Sequence, residues 1–166
     1  MATTPRYRQP STPSRRTAAT AIWSTFYLYI MRLYNRGLVN GYYDHAHCAA
    51  TGSPCFLPNN PVTRGQAAKI VSNGRGYNEP APATPTFEDV PTTDPFYVYV
   101  ERLSLHGVIS GYECGVVPPI INPCTGLAET CDALGRPYYR PCATLTRGQA
   151  AKLVANSFFP ECHGLR

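Results

Sequence analysis

Thr63-Arg64-Gly65-Gln66-Ala67-Ala68-Lys69 returns unchanged as Thr146-Arg147-Gly148-Gln149-Ala150-Ala151-Lys152, and the reading of this heptad decides the fold. Each copy opens on Thr-x-x-Gln. In this helix-entry pattern the threonine hydroxyl accepts from an early backbone N–H and the glutamine side chain returns to the threonine N–H. Behind it stand Ala67, Ile70 and Val71 in one copy and Ala150, Leu153 and Val154 in the other, the spacing of one buried helical face. Both copies predict short helices, capped by Thr63 with Gln66 and by Thr146 with Gln149.

A second repeated piece lies upstream of each heptad. Phe26-Tyr-Leu-Tyr-Ile-Met-Arg-Leu33 with Gly37 to Tyr42 corresponds, 70 positions on, to Phe96-Tyr-Val-Tyr-Val-Glu-Arg-Leu103 with Gly107 to Tyr112. Between the heptads the offset is 83, so the second unit carries 13 extra residues in its loop, where insertions collect. The first helix is expected from about Ser24, with a possible extension back to Ala18, and Phe26, Ile30 and Leu33 inward. In the second unit Asp94 is the expected N-cap, Pro95 the first helical residue, and Phe96, Val100 and Leu103 the inward face. Gly37 and Gly107 close the two helices.

The expected fold is therefore mainly α, two helix-loop-helix repeats with long disulfide-stapled loops and little or no sheet. Its parts are an extended or disordered arm over 1–20, a first repeat over 21–77, a Pro/Ala-rich linker over 78–86, a second repeat over 87–159 and a tail over 160–166.

Seven cysteines exceed what a reduced compartment usually carries, and all but Cys162 fall in the two loops. Cys48 and Cys55 are expected to bond. Cys114, Cys124, Cys131 and Cys142 are expected to pair within their loop, where three pairings are open and sequential pairing closes the shortest rings. Sparse charge at 15% beside 12 Tyr and 17 Pro also suits a secreted or surface protein. Thr17 to Met31 behind four arginines has the outline of a signal peptide, yet Phe26 to Leu33 recurs inside the chain. A leader was then removed before this numbering starts, or export takes another route. No run of 18 apolar residues spans a membrane.

The net charge of +5 is concentrated in Arg6, Arg8, Arg15 and Arg16, a basic tail rather than a nucleic-acid groove. Asp44-His-Ala-His-Cys48 with Cys55 has metal-ligand residue types in no standard finger spacing, and an oxidised Cys48–Cys55 pair would withdraw its thiolates. No metal or other cofactor is expected. There is no nucleophile elbow or phosphate loop, and Glu88, Asp89, Asp94, Glu101 and Glu113 are read as a helix cap and surface acids. A secreted enzyme is the least favoured class.

Phe87-Glu-Asp-Val90, the aromatic-led helix ending at Gly107, Ile109-Ser-Gly-Tyr112 and Leu145-Thr-Arg-Gly-Gln149 together resemble the S-layer homology repeat of bacterial cell-surface proteins. The resemblance covers 87–159, and 24–75 without the leading Phe-x-Asp-Val piece; the cysteine-bearing loops look most like versions from Chloroflexi-type bacteria. It implies helix-loop-helix repeats, usually three around a pseudo-threefold axis, that bind cell-wall polysaccharide. The family's Thr-Arg-Ala-Glu reads Thr-Arg-Gly-Gln here, keeping the arginine and losing the acid. Arg64 and Arg147, with Tyr42 and Tyr112, are the glycan-binding candidates it implies; Tyr43, Tyr138 and Tyr139 are further aromatic candidates.

The function expected is a structural subunit of an extracellular filament or surface layer, because repeats, linker and tails account for this chain without cargo. A cell-wall glycan anchor is the alternative. The partner expected is the protein itself, through residues 1–16 with Tyr7 as anchor and Cys162 as a covalent lock. The first repeat, lacking a Phe-x-Asp-Val piece, is expected to expose a groove for that arm.

Overall fold

The computed structural model describes residues 25–43 and 54–160. It is mainly helical: α1 (Tyr27–Tyr34), α2 (Arg64–Arg75), α3 (Tyr97–Leu105) and α4 (Arg147–Phe158). Among the described residues there is no strand, only isolated bridges such as Tyr42 with Cys55 and Tyr112 with Tyr138.

Both heptads start helices in the same way. Thr63 and Thr146 accept from the N–H of Gln66 and Gln149, and each glutamine Oε1 accepts in return from its threonine N–H at 3.0 Å. Thr63→Ala and Thr146→Ala should each lower stability by about 1 kcal/mol, with Gln66→Ala and Gln149→Ala costing less. Urea unfolding checks this, and four unchanged midpoints would mean the caps contribute nothing.

α1 and α3 also end alike. The N–H of Leu38 donates to Leu33 O and that of Val108 to Leu103 O, closures that need Gly37 and Gly107 at φ 70° and 65°. Their starts differ from the expectation. α3 begins at Tyr97 rather than Pro95, because Asp94 accepts from the Phe96 N–H and caps the turn ahead of the helix. α1 begins at Tyr27, and residues 18–24 lie outside the described part of the chain.

The core forms across the boundary between the units, not within each pair. α2 packs against α3 and α4, whereas α1 touches no other helix among the described residues. Ala68 and Val71 of α2, Tyr97, Val100 and Leu103 of α3 and Leu153 of α4 are buried with Phe87, Val90 and Tyr139. Phe96 lies so close to α2 that a Cβ on Gly65 would sit 2.4 Å from its ring. The inward face expected for α1 is not buried: Phe26 is 57% exposed and Ile30 and Leu33 are half-buried. The same wording gives a helix with buried residues in one unit and one without in the other, because among the described residues only α3 has a helix, α2, to lie against.

The segment 78–86 is laid along α3. Arg102 Nε donates to Glu79 O, the Tyr97 hydroxyl to Pro82 O, and Thr86 donates both N–H and hydroxyl to the carboxylate of Glu101. Glu101 is therefore not a surface acid. It is fully buried, and its charge is met by Thr86.

Candidate functional site

Phe87-Glu-Asp-Val90 acts as a clamp on the second loop. Phe87 and Val90 enter the core, and Asp89 turns the other way, where Oδ1 accepts from Tyr139 N–H and Oδ2 from Arg140 N–H, each at 2.7 Å. Asn122 joins Asp89 to Glu129, and Glu129 holds Arg140 through two charge-assisted bonds of 2.7 and 2.6 Å. These bonds to buried Glu129 hold the Arg140 guanidinium pKa above its usual value. Cys114 is bonded to Cys131 and Cys124 to Cys142, an interleaved pairing in place of the sequential one with the shortest rings.

The loop so fixed receives the N-terminus of α2. The N–H groups of Arg64 and Gly65 donate to Ala143 O and Pro141 O, both at 2.8 Å, which satisfies two of the donors a helix start leaves over. The Arg64 Nε donates to Tyr139 O at 2.7 Å and Nη1 to the Tyr112 hydroxyl at 3.0 Å, with the guanidinium over both rings. Tyr139 returns its hydroxyl to Arg64 O, and burial raises its phenol pKa to about 12. Gln149 donates to the Tyr112 hydroxyl from the other side of the join.

Beside this join a groove of about 390 Å³ runs between the turn 107–112, the start of α2 and α4, with Arg64, Tyr112, Gln149, Lys152 and Asn156 in its lining. A corresponding groove of about 260 Å³ in the first unit is more apolar, with Leu38, Phe56, Val62 and Phe96 around Tyr42 and Gln66. Because the groove recurs beside Gly111 while Phe87 is seated there, a missing Phe-x-Asp-Val piece is not what opens it.

The four glycan candidates are thus in different situations. Arg64 and Tyr112 are engaged with each other inside the chain; Tyr42, half-buried, accepts from Gln66 at 2.7 Å; Arg147 is exposed at the start of α4. Tyr138 and Tyr139 are buried and Tyr43 is exposed. Cys55 is disulfide-bonded. Its expected partner Cys48, with Asp44, His45, His47, Tyr7, the rest of 1–16 and Cys162, lies outside the described residues. Among the described residues no group of His, Cys, Asp and Glu is gathered as a metal site. Asp89, Glu101, Asn122, Glu129 and Arg140 were missed as structural centres. Only the place of Asp89 between two apolar residues could have hinted at this.

Residues 19–68 match the family profile of the S-layer homology domain. That segment, 50 of the 166 residues, is therefore similar to an S-layer homology domain. The match points to a cell-surface or cell-wall-associated protein, since S-layer homology domains are surface-anchoring modules that bind cell-wall polysaccharides. The matched segment holds α1, the first loop and the start of α2 with Arg64. No curated protein and no solved structure matches the chain significantly. No helix among the described residues is long and apolar enough to cross a membrane.

Proposed function

We propose that this S-layer homology protein is a secreted structural subunit of an extracellular filament or surface layer, made of two such repeats over 21–77 and 87–159. The observation that carries the reading is the apolar run Tyr27-Leu28-Tyr29 at the start of α1, whose residues are 51%, 54% and 60% exposed and are packed by no other helix among the described residues. A run of this kind on a small surface protein is a contact waiting for a partner. The engagement of Arg64 within the chain supports the same reading, since the residue expected to meet a wall sugar is used for packing.

The polar groove supports wall polysaccharide as a second reading, with Lys152, Gln149 and Asn156 beside Tyr112 and with Arg147 exposed nearby. Cations and amide side chains in such a groove suit an anionic glycan. Sedimentation with and without purified cell wall separates the two. Polymers formed without wall material support the subunit. A monomer that binds wall, and loses binding on Arg147→Ala with Lys152→Ala, would replace it with the anchor.

A further inference from the structure

Resting on the reading of the chain as a self-assembling subunit, we propose that α4 of one copy docks onto the first unit of a second copy, reproducing the seat of α2 on the second unit. The pattern for the contact lies within the chain. α2 presents Gly65, Ala68 and Val71, all buried against the second unit. The corresponding residues of α4, Gly148, Ala151 and Val154, are exposed, and a Cβ at Gly148 would meet nothing within 4 Å.

The receiving surface is also present twice. In the second unit Arg140, at φ 60°, accepts from Ala143 N–H at 3.1 Å; in the first, Leu57, at φ 55°, accepts from Asn60 N–H at 3.0 Å. Neither residue is glycine, so each loop holds the same uncommon backbone conformation. That turn aims the Pro141 and Ala143 carbonyls at the N-terminus of α2. Pro141 is buried by the contact, whereas its counterpart Pro58 is exposed. The backbone that receives a Thr-Arg-Gly-Gln helix is thus already shaped in the first unit, and nothing among the described residues is seated on it.

The side chains complete the correspondence. Tyr112 accepts from Gln149 and from Arg64; Tyr42 accepts from Gln66 and stands where Arg147 of a second copy would reach. Phe26 occupies in the first unit the place of the Phe96 that lies on Gly65, so the start of α1 is the surface that faces Gly148. The inserting helix and the receiving loop with α1 are different surfaces of the chain, so the contact is head-to-tail. Such a contact runs on into a filament unless its rotation closes a ring.

Gly148 gives a test in which folding and assembly move in opposite directions. Gly148→Ala improves helix propensity in open space, so the melting temperature of the monomer stays level or rises. In the assembly the added methyl meets a phenyl ring, as it would at Gly65. Gly148→Ala should raise the concentration needed for assembly roughly tenfold, and Gly148→Leu should abolish it. Gly148→Leu retains its receiving end, so a small admixture should cap wild-type polymers and shorten them. Sedimentation velocity and negative-stain microscopy of the full chain read all three effects. Wild-type protein that stays monomeric would overturn both the subunit reading and this contact. Polymers of wild-type length from Gly148→Leu would overturn the contact alone. Deletion of 1–16 that stops polymerisation, with Gly148→Leu polymerising normally, would assign the contact to the arm.

Discussion

Removing both second-loop disulfides should lower the stability of the folded chain by about 5 kcal/mol, the largest single effect expected in this protein. The bridges Cys114–Cys131 and Cys124–Cys142 span 17 and 18 positions, and a ring of that size restricts the unfolded chain by about 3 kcal/mol. They interleave, so with one bridge closed the other has less freedom left to remove. Each pair replaced alone by alanine should therefore cost less than 3 kcal/mol on that scale, and the joint loss should exceed the sum of the two single losses. Beside the bridges the loop is held by the polar network of Asp89, Asn122, Glu129 and Arg140; it contains no helix, and its buried residues are few, chiefly Asn122, Glu129, Tyr138 and Tyr139. Urea unfolding of the two double variants and the quadruple variant measures the comparison. Strict additivity would mean that the two rings act independently.

Glu129→Ala is expected to cost about 3 kcal/mol, toward the lower end of the range for breaking a buried ion pair. Glu129 is 2% exposed and the Arg140 side chain 14%, so the orphaned guanidinium regains some water but not all of it. Asn122 Nδ2 keeps Asp89 as an acceptor, which limits the loss further. Glu129→Gln retains an acceptor for Arg140 and removes the charge, and should cost about 1–2 kcal/mol. The effect extends to the contact with α2, because the backbone of residues 140–143 that Glu129 steadies also supplies the carbonyls for Arg64 and Gly65. Equal melting temperatures for Glu129→Ala and the wild type would show that the pair is dispensable.

The parts of the fold legible in the sequence are those set by local chemistry. Thr63 and Thr146 start helices because their own hydroxyls and a glutamine three residues on satisfy the first N–H groups, with no distant partner required. Gly37 and Gly107 end helices for an equally local reason. The exposure of α1 was not legible. Its wording matches that of α3, and among the described residues only α3 has a heptad helix lying against it. The interleaved disulfides were not legible either: ring length favours sequential pairing, but the loop doubles back through the bridges Ile121–Ala128 and Tyr112–Tyr138 and so brings Cys114 to Cys131. Glu129 stands in Leu127-Ala128-Glu129-Thr130, where no periodicity marks a buried acid. Arg64 was expected to meet a glycan; its partners within the chain, Tyr112 and Tyr139, come from 48 and 75 residues away, beyond any local pattern.

The heptad helix joins the units inside the chain at α2, and by the contact proposed above it joins chains at α4. Hydrogen exchange at the amides of Arg147 and Gly148 tests it most directly. Their counterparts, the amides of Arg64 and Gly65, are bonded to Ala143 and Pro141 within one chain and should be protected at every concentration. The account predicts that Arg147 and Gly148 exchange rapidly in dilute monomer and become protected as strongly as Arg64 and Gly65 once the protein assembles. Rapid exchange of both amides in the assembled state, or protein that does not assemble at any concentration, would contradict it.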